Sequence, residues 1–142
     1  GPGGSVIGID LELIAPLPFS NVETYQGDIT NISSLEAILK NQYFDLICAD
    51  LSPKTSGIRD LDQGRSVELN ERVLAICFCH LKYHGTLVSK IFEGSSFHDF
   101  YRNFRKHFSR THVYKPQATR NRSRERYLIA KEFRGNLRWK DQ

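Results

Sequence analysis

Methionine is absent from this 142-residue chain, tryptophan occurs once, and no apolar run approaches the roughly 20 residues that cross a bilayer. No secretory signal pattern is present either, so no membrane partner is expected. Without methionine the chain is expected not to be an intact translation product. Residues 1–4, Gly-Pro-Gly-Gly, resemble the scar of a protease cut at an engineered junction; the alternative is the remnant of a glycine-rich loop. The three cysteines, Cys48, Cys77 and Cys79, are odd in number and lack framework spacing, which argues against a disulfide scaffold and for a reducing compartment. Cys77 and Cys79 lie in a helical pattern, where i,i+2 side chains do not share a face, so they read as buried apolar cysteines rather than zinc ligands. The five histidines show no paired ligand spacing, and no metal site is expected.

What is present is an ordinary globular composition, 39 % apolar and 25 % charged, with enough residues for one core. The charge is divided unevenly. Residues 1–100 hold seven Lys/Arg against thirteen Asp/Glu, whereas residues 101–142 hold thirteen against three. A basic C-terminal third points to a polyanion, and nucleic acid is favoured over a merely solvated basic face.

The periodicity alternates strands with helices. Val6–Asp10, Val22–Gln26, Phe44–Ala49 and residues 86–91 read as strands, followed by 111–114 and 127–131. Ser33 or Ser34 can cap a helix reaching about Lys40, with Leu35, Ile38 and Leu39 at i, i+3, i+4. A polar loop over 51–64 leads to a helix over 65–81, and Tyr83-His84-Gly85 reads as a turn. Phe97, Phe100, Tyr101, Phe104 and Phe108 form an aromatic stripe at helical spacing, a core feature rather than a base-stacking platform. This order predicts a doubly wound, mostly parallel α/β sheet whose last pair can be antiparallel. Beyond Phe133 a loosely held tail is expected, with Trp139 docked.

Three apolar strands carry an ionisable residue at or beside their ends: Asp50, Lys90 and Glu125. Residues leaving strand ends of an open sheet converge on one crevice, so the three can meet. Simpler accounts exist. Lys90 can be an edge lysine with its stem along the sheet, and Glu125 a member of a surface network with Arg122, Arg124 and Arg126. Asp10 ends a strand where an acid can accept hydrogen bonds from the ribose of an adenosine-containing cofactor, and Asp28 follows Gly27 where it can accept from an adenine amino group; both types also serve ordinary turns. Lys115, Arg120, Arg122 and Arg124 crowd one basic loop, suited to phosphates.

Residues 5–134 resemble the FtsJ-like ribose 2′-O-methyltransferases, in particular the branch acting on large-subunit ribosomal RNA. The likeness lies in Val6-Ile-Gly-Ile-Asp-Leu11, Tyr25-Gln-Gly-Asp28, Asp45-Leu-Ile-Cys-Ala-Asp-Leu-Ser-Pro53, Ser56-Gly-Ile-Arg-Asp-Leu-Asp62, Gly85-Thr-Leu-Val-Ser-Lys-Ile-Phe92, and Lys115-Pro through Ser123-Arg-Glu-Arg-Tyr127. It implies a Rossmann-like sheet, mostly parallel with an antiparallel last strand, over 5–134, with 135–142 as a tail. It implies contacts of Asp10, Asp28 and Asp50 with S-adenosylmethionine, no metal, and a Lys-Asp-Lys-Glu active site of which Asp50, Lys90 and Glu125 are the last three members.

The family's first lysine and its glycine-rich turn with an aromatic residue are expected upstream of residue 1, so these 142 residues alone are expected to be inactive. In the implied reaction a ribose 2′-hydroxyl attacks the methyl group, with Lys90 as the base or the group that orients the attacking oxygen. The partner is expected to be ribosomal RNA within the large subunit, the protein a monomer, and the compartment cytoplasmic, or organellar in a eukaryote. The alternatives are a relative acting on transfer RNA or messenger caps, a non-catalytic RNA-binding module, and a nicotinamide-dependent oxidoreductase on a similar sheet. The last has no need of a lysine between two acids.

Overall fold

The computed structural model describes residues 1–117 and 124–135. The chain forms two compact units, Gly1–Gln42 and Tyr43–Gln142. In the first, β1 (Val6–Asp10) and β2 (Val22–Gln26) run parallel, in register from Val6↔Val22 to Asp10↔Gln26. Helix α1 (Ile32–Leu39) follows and buries Leu35 and Leu39. Its cap is Asn31 rather than Ser33 or Ser34: the Asn31 side chain accepts from the Ser34 N–H at 3.1 Å, which puts both serines inside the first turn. Gly27 lets the helix close on the strands, because a Cβ there would stand 3.1 Å from Ile38 Cδ1 and 3.5 Å from Ile9 Cγ2. Residues Gly1–Gly4 make a turn, closed by Gly4 N–H to Gly1 C=O at 3.1 Å and held by the Asn21 amide, which donates to the carbonyls of Gly1 and Gly4.

The second unit is a four-stranded sheet ordered β3-β4-β6-β5, built from β3 (Phe44–Ala49), β4 (Leu81–Phe92), β5 (Phe108–Tyr114) and β6 (Glu125–Phe133). β3 and β4 are parallel, joined by the long crossover helix α2 (Arg59–His80), as a parallel pair requires. β6 is antiparallel to both β4 and β5. One face of the sheet is closed. Leu87, Ser89 and Ile91 of β4 are buried with Leu128, Ala130 and Phe133 of β6, and the core continues into Val67, Leu74 and Cys77 of α2 and Phe97, Phe100 and Phe104 of α3 (Phe97–Phe104). The opposite face of β4 carries Thr86, Val88, Lys90 and Phe92, all half-buried.

Four further local expectations are corrected. Helix α2 starts at Arg59, not Arg65, because Ser56-Gly57-Ile58 forms its entry turn. Gly57 has φ +80, and the Asp62 carboxylate reaches back to accept from Ser56 N–H (2.7 Å), Ser56 O–H (2.8 Å) and Gly57 N–H (3.2 Å). The expected turn at 83–85 lies inside β4 as a bulge: Leu81 pairs with Phe44 and Thr86 with Leu46, and His84 takes φ +67. Phe108 begins β5 rather than ending α3, yet it completes the aromatic cluster, its ring centroid 5.1 Å from that of Phe104. Of the two helical cysteines, Cys77 alone is buried; Cys79 is exposed, as i,i+2 geometry requires, and so is Cys48 on β3. Trp139 lies outside the described residues.

Candidate active site

β3 stops at Ala49, opposite Ser89 of β4, so Asp50 leaves the sheet beside Lys90. The Lys90 ammonium stands 3.2 Å from Asp50 Oδ1. The lysine side chain is only 12 % exposed, whereas that of Asp50 is 71 % exposed. The aliphatic stem is packed and only the head reaches the rim, where the carboxylate offsets the cost of removing the ammonium from water.

On the other side of β4, Lys90 pairs with Tyr127 and Phe92 with Glu125. Opposed residues in an antiparallel pair share a face, as do residues two apart along a strand. Lys90, Tyr127 and Glu125 therefore occupy one face of the sheet, with Glu125 half-buried at the first position of β6. Tyr127 also reaches across, its O–H donating to Asp50 Oδ1 at 3.4 Å, a long bond for a hydroxyl. Sequence inspection missed Tyr127. The available signal was its place two residues after Glu125 on an alternating strand.

The remaining acids belong to the first unit. Asp10 ends β1, and its Oδ1 accepts from Glu12 N–H at 2.9 Å. Asp28 follows β2 and accepts from Thr30 N–H (2.9 Å) and Thr30 O–H (2.7 Å). The Thr30 hydroxyl, then its N–H, hold the Asp28 carboxyl below the usual carboxylate range. β1 and β2 are parallel neighbours, so both carboxylates leave the same edge of that sheet. Each is anchored through Oδ1, an arrangement that fits a ligand presenting hydroxyl or amino donors to Oδ2.

Lys115 is exposed just after β5, and Arg124 is half-buried just before β6, its carbonyl accepting from Glu93 N–H at 2.9 Å. They bracket the basic loop; Arg120 and Arg122 lie outside the described residues. Among the described residues, no group of His, Cys, Asp and Glu could hold a metal ion.

The parallel pairs β1-β2 and β3-β4, with β6 antiparallel as the last strand, have the α/β arrangement of Rossmann-like methyltransferases. A protein from Streptococcus mutans solved in complex with SAH shares it, with a TM-score of 0.54 and 14 % identity over 89 % of this chain and 71 % of that one. The FtsJ-like methyltransferase family model matches residues 1–133, and the chain belongs to that family. It is similar to the ribosomal RNA large subunit methyltransferase E of Methanocaldococcus jannaschii, 35 % identical over 147 residues that take in 100 % of this chain and 60 % of the relative. A ribosomal RNA methyltransferase of Plasmodium falciparum superposes with a TM-score of 0.79 and 27 % identity, over 93 % of this chain and 74 % of that chain. Against other curated relatives the chain spans about half of their length, 51 % in one from Methanothrix thermoacetophila.

Proposed function

We propose that the protein transfers a methyl group from S-adenosylmethionine to the 2′-hydroxyl of a ribose in large-subunit ribosomal RNA. The observation that carries this assignment is the Lys90–Asp50 pair at 3.2 Å, formed at the strand ends of a methyltransferase sheet and sharing its face with Tyr127 and Glu125. The names of the relatives support ribosomal RNA as the substrate.

Asp10, Asp28 and Asp50 are the residues proposed to hold S-adenosylmethionine, the first two through the donors of its ribose and adenine. When bound, it supplies a methyl group on a positively charged sulfur, activated for displacement. Lys90 holds the attacking 2′-oxygen. As the ammonium paired with Asp50 it donates to that oxygen and orients it; as the free amine it accepts the hydroxyl proton. Glu125 lies on the same face, where its carboxylate can accept a hydrogen bond from a bound ribose or balance the charge of Lys90. Lys115 and Arg124, with Arg120 and Arg122, supply sequence-independent phosphate contacts.

The methyltransferase domain is proposed to span residues 5–134, with residues 1–4 as the scar of a protease cut and 135–142 as a tail. The protein acts as a monomer on RNA presented by the large ribosomal subunit, in the cytoplasm or, in a eukaryote, an organelle.

The test is ligand protection followed by product analysis on the full-length protein. S-adenosylmethionine should raise Tm and NAD should not, and a labelled methyl group should be recovered on a ribose 2′-oxygen of large-subunit RNA. Label on a base, or protection by NAD alone, contradicts the assignment.

A further inference from the structure

Lys90 lies where β4 outruns its neighbour. β3 ends at Ala49 opposite Ser89, so beyond that rung the β3-side edge of β4 has no strand to satisfy its peptide groups. Side chains of α2 take the strand's place. Asn70 Nδ2 donates to the Lys90 carbonyl at 2.9 Å, and the Phe92 N–H donates to Ser66 Oγ at 2.9 Å. The same Nδ2 donates to the Ser66 carbonyl at 2.9 Å, and Asn70 Oδ1 accepts from the Ser89 hydroxyl at 2.6 Å. Asn70, Ser66 and Ser89 are all buried. One turn nearer the helix start, Gln63 Oε1 accepts from Ser96 N–H at 3.2 Å, extending the polar stripe past the end of β4.

We infer that Asn70 is a positioning residue for Lys90, fixing the peptide from which the reacting side chain projects. The inference rests on the proposed role of Lys90. Packing alone does not call for this stripe, since an apolar face fills a helix–sheet interface without the cost of burying amides and hydroxyls. What the stripe adds is a fixed orientation for one peptide plane. Rotation of that plane swings the Lys90 head through the full length of its side chain, and a displacement of about 1 Å at reacting atoms can cost roughly a hundredfold in rate.

The experiment compares Asn70→Leu with Ser89→Ala in the full-length protein. Ser89→Ala removes the bond to Asn70 Oδ1 but leaves the donor on the Lys90 carbonyl. For Asn70→Leu the expected result is a fall in kcat of roughly tenfold or more. KM for S-adenosylmethionine and for RNA should hold within about twofold, and the Lys90 carbonyl carbon resonance should shift. Ser89→Ala should lower Tm yet keep kcat and that resonance. Should leucine not be accommodated, Asn70→Ala is judged by the same measures. Unchanged kcat in the Asn70 variant, or an equal loss in Ser89→Ala, overturns the inference while leaving the role of Lys90 intact. Full activity in Lys90→Ala overturns that role instead; the resonance still reports whether Asn70 holds the carbonyl.

Discussion

The Lys90 ammonium of β4 and the carboxylate of Asp50, the residue after its parallel neighbour β3, stand 3.2 Å apart although the whole of α2 separates them in the chain. Asp50 is mostly exposed but the Lys90 side chain is largely buried, so removing the carboxylate takes away what offsets the burial of the ammonium. Asp50→Asn should therefore lower the urea midpoint modestly. Methyl transfer should fall by roughly a hundredfold or more, because the orienting partner of Lys90 is lost. Denaturation and single-turnover assays on one preparation separate the two effects. A large stability loss that tracked the activity loss would make the pair structural.

Tyr127 makes a weaker contribution. Its 3.4 Å bond to Asp50 is longer than a good hydroxyl bond, so Tyr127→Phe should lower the rate by less than about tenfold. Burial and packing of the ring are retained, and Tm should change by no more than a degree or two. A hundredfold loss would mean that the hydroxyl touches substrate directly.

The cysteines should label unequally. Burial pushes the Cys77 thiol up to about 12, whereas Cys48 and Cys79 are exposed. Iodoacetamide at neutral pH should modify Cys48 and Cys79 in the native protein and reach Cys77 only on unfolding, as mass spectrometry of the peptides would report. Fast native labelling of Cys77 would contradict the packing of α2 on the sheet.

Acid should loosen the start of α2. The Ser56 N–H, its hydroxyl and the Gly57 N–H hold the Asp62 carboxyl below the usual range. A carboxyl lowered in the fold contributes stability that is fully present above its unfolded value, about 3.9, and is lost as pH falls through the folded value. Asp62→Asn should lower stability at neutral pH and flatten the acid limb of the stability curve. A variant whose curve parallels the parent down to pH 2 would show that the cap carries no such linkage.

His107 titrates with the same sense. Burial, and then the neighbouring Lys106, lower its imidazole below the usual histidine range. Its contribution is present above the unfolded value near 6.5 and is lost as pH falls through the folded value. His107→Gln should reduce the change in stability between pH 7 and 5. An unchanged slope would assign that change to other groups.

Much of this was legible from single residues. β1, β2 and β3 have the bounds that their apolar runs and turn residues suggest, because β1 stops at Asp10, β2 at Gln26 before Gly27-Asp28, and β3 at Ala49 before Asp50. α2 was misread at its start because its buried face there is Asp62, Gln63, Ser66 and Asn70 rather than an apolar stripe. Hydrophobic periodicity cannot register a helix that packs through hydrogen bonds. The closeness of Lys90 to Asp50 followed from strand ends converging; strand alternation puts Tyr127 on the face of Glu125, but its place opposite Lys90 depended on the β4–β6 register, which no local pattern encodes. Phe108 kept the helical spacing of the stripe while the Arg105–His107 turn carried the chain out of α3 and into β5.

The most direct test of the account is methyl transfer to large-subunit ribosomal RNA by Lys90→Ala in the full-length protein, with RNA binding and S-adenosylmethionine binding measured alongside. The account predicts that both ligands still bind while transfer drops by roughly a hundredfold to ten-thousandfold. Transfer at the parent rate with an alanine at position 90 would contradict it.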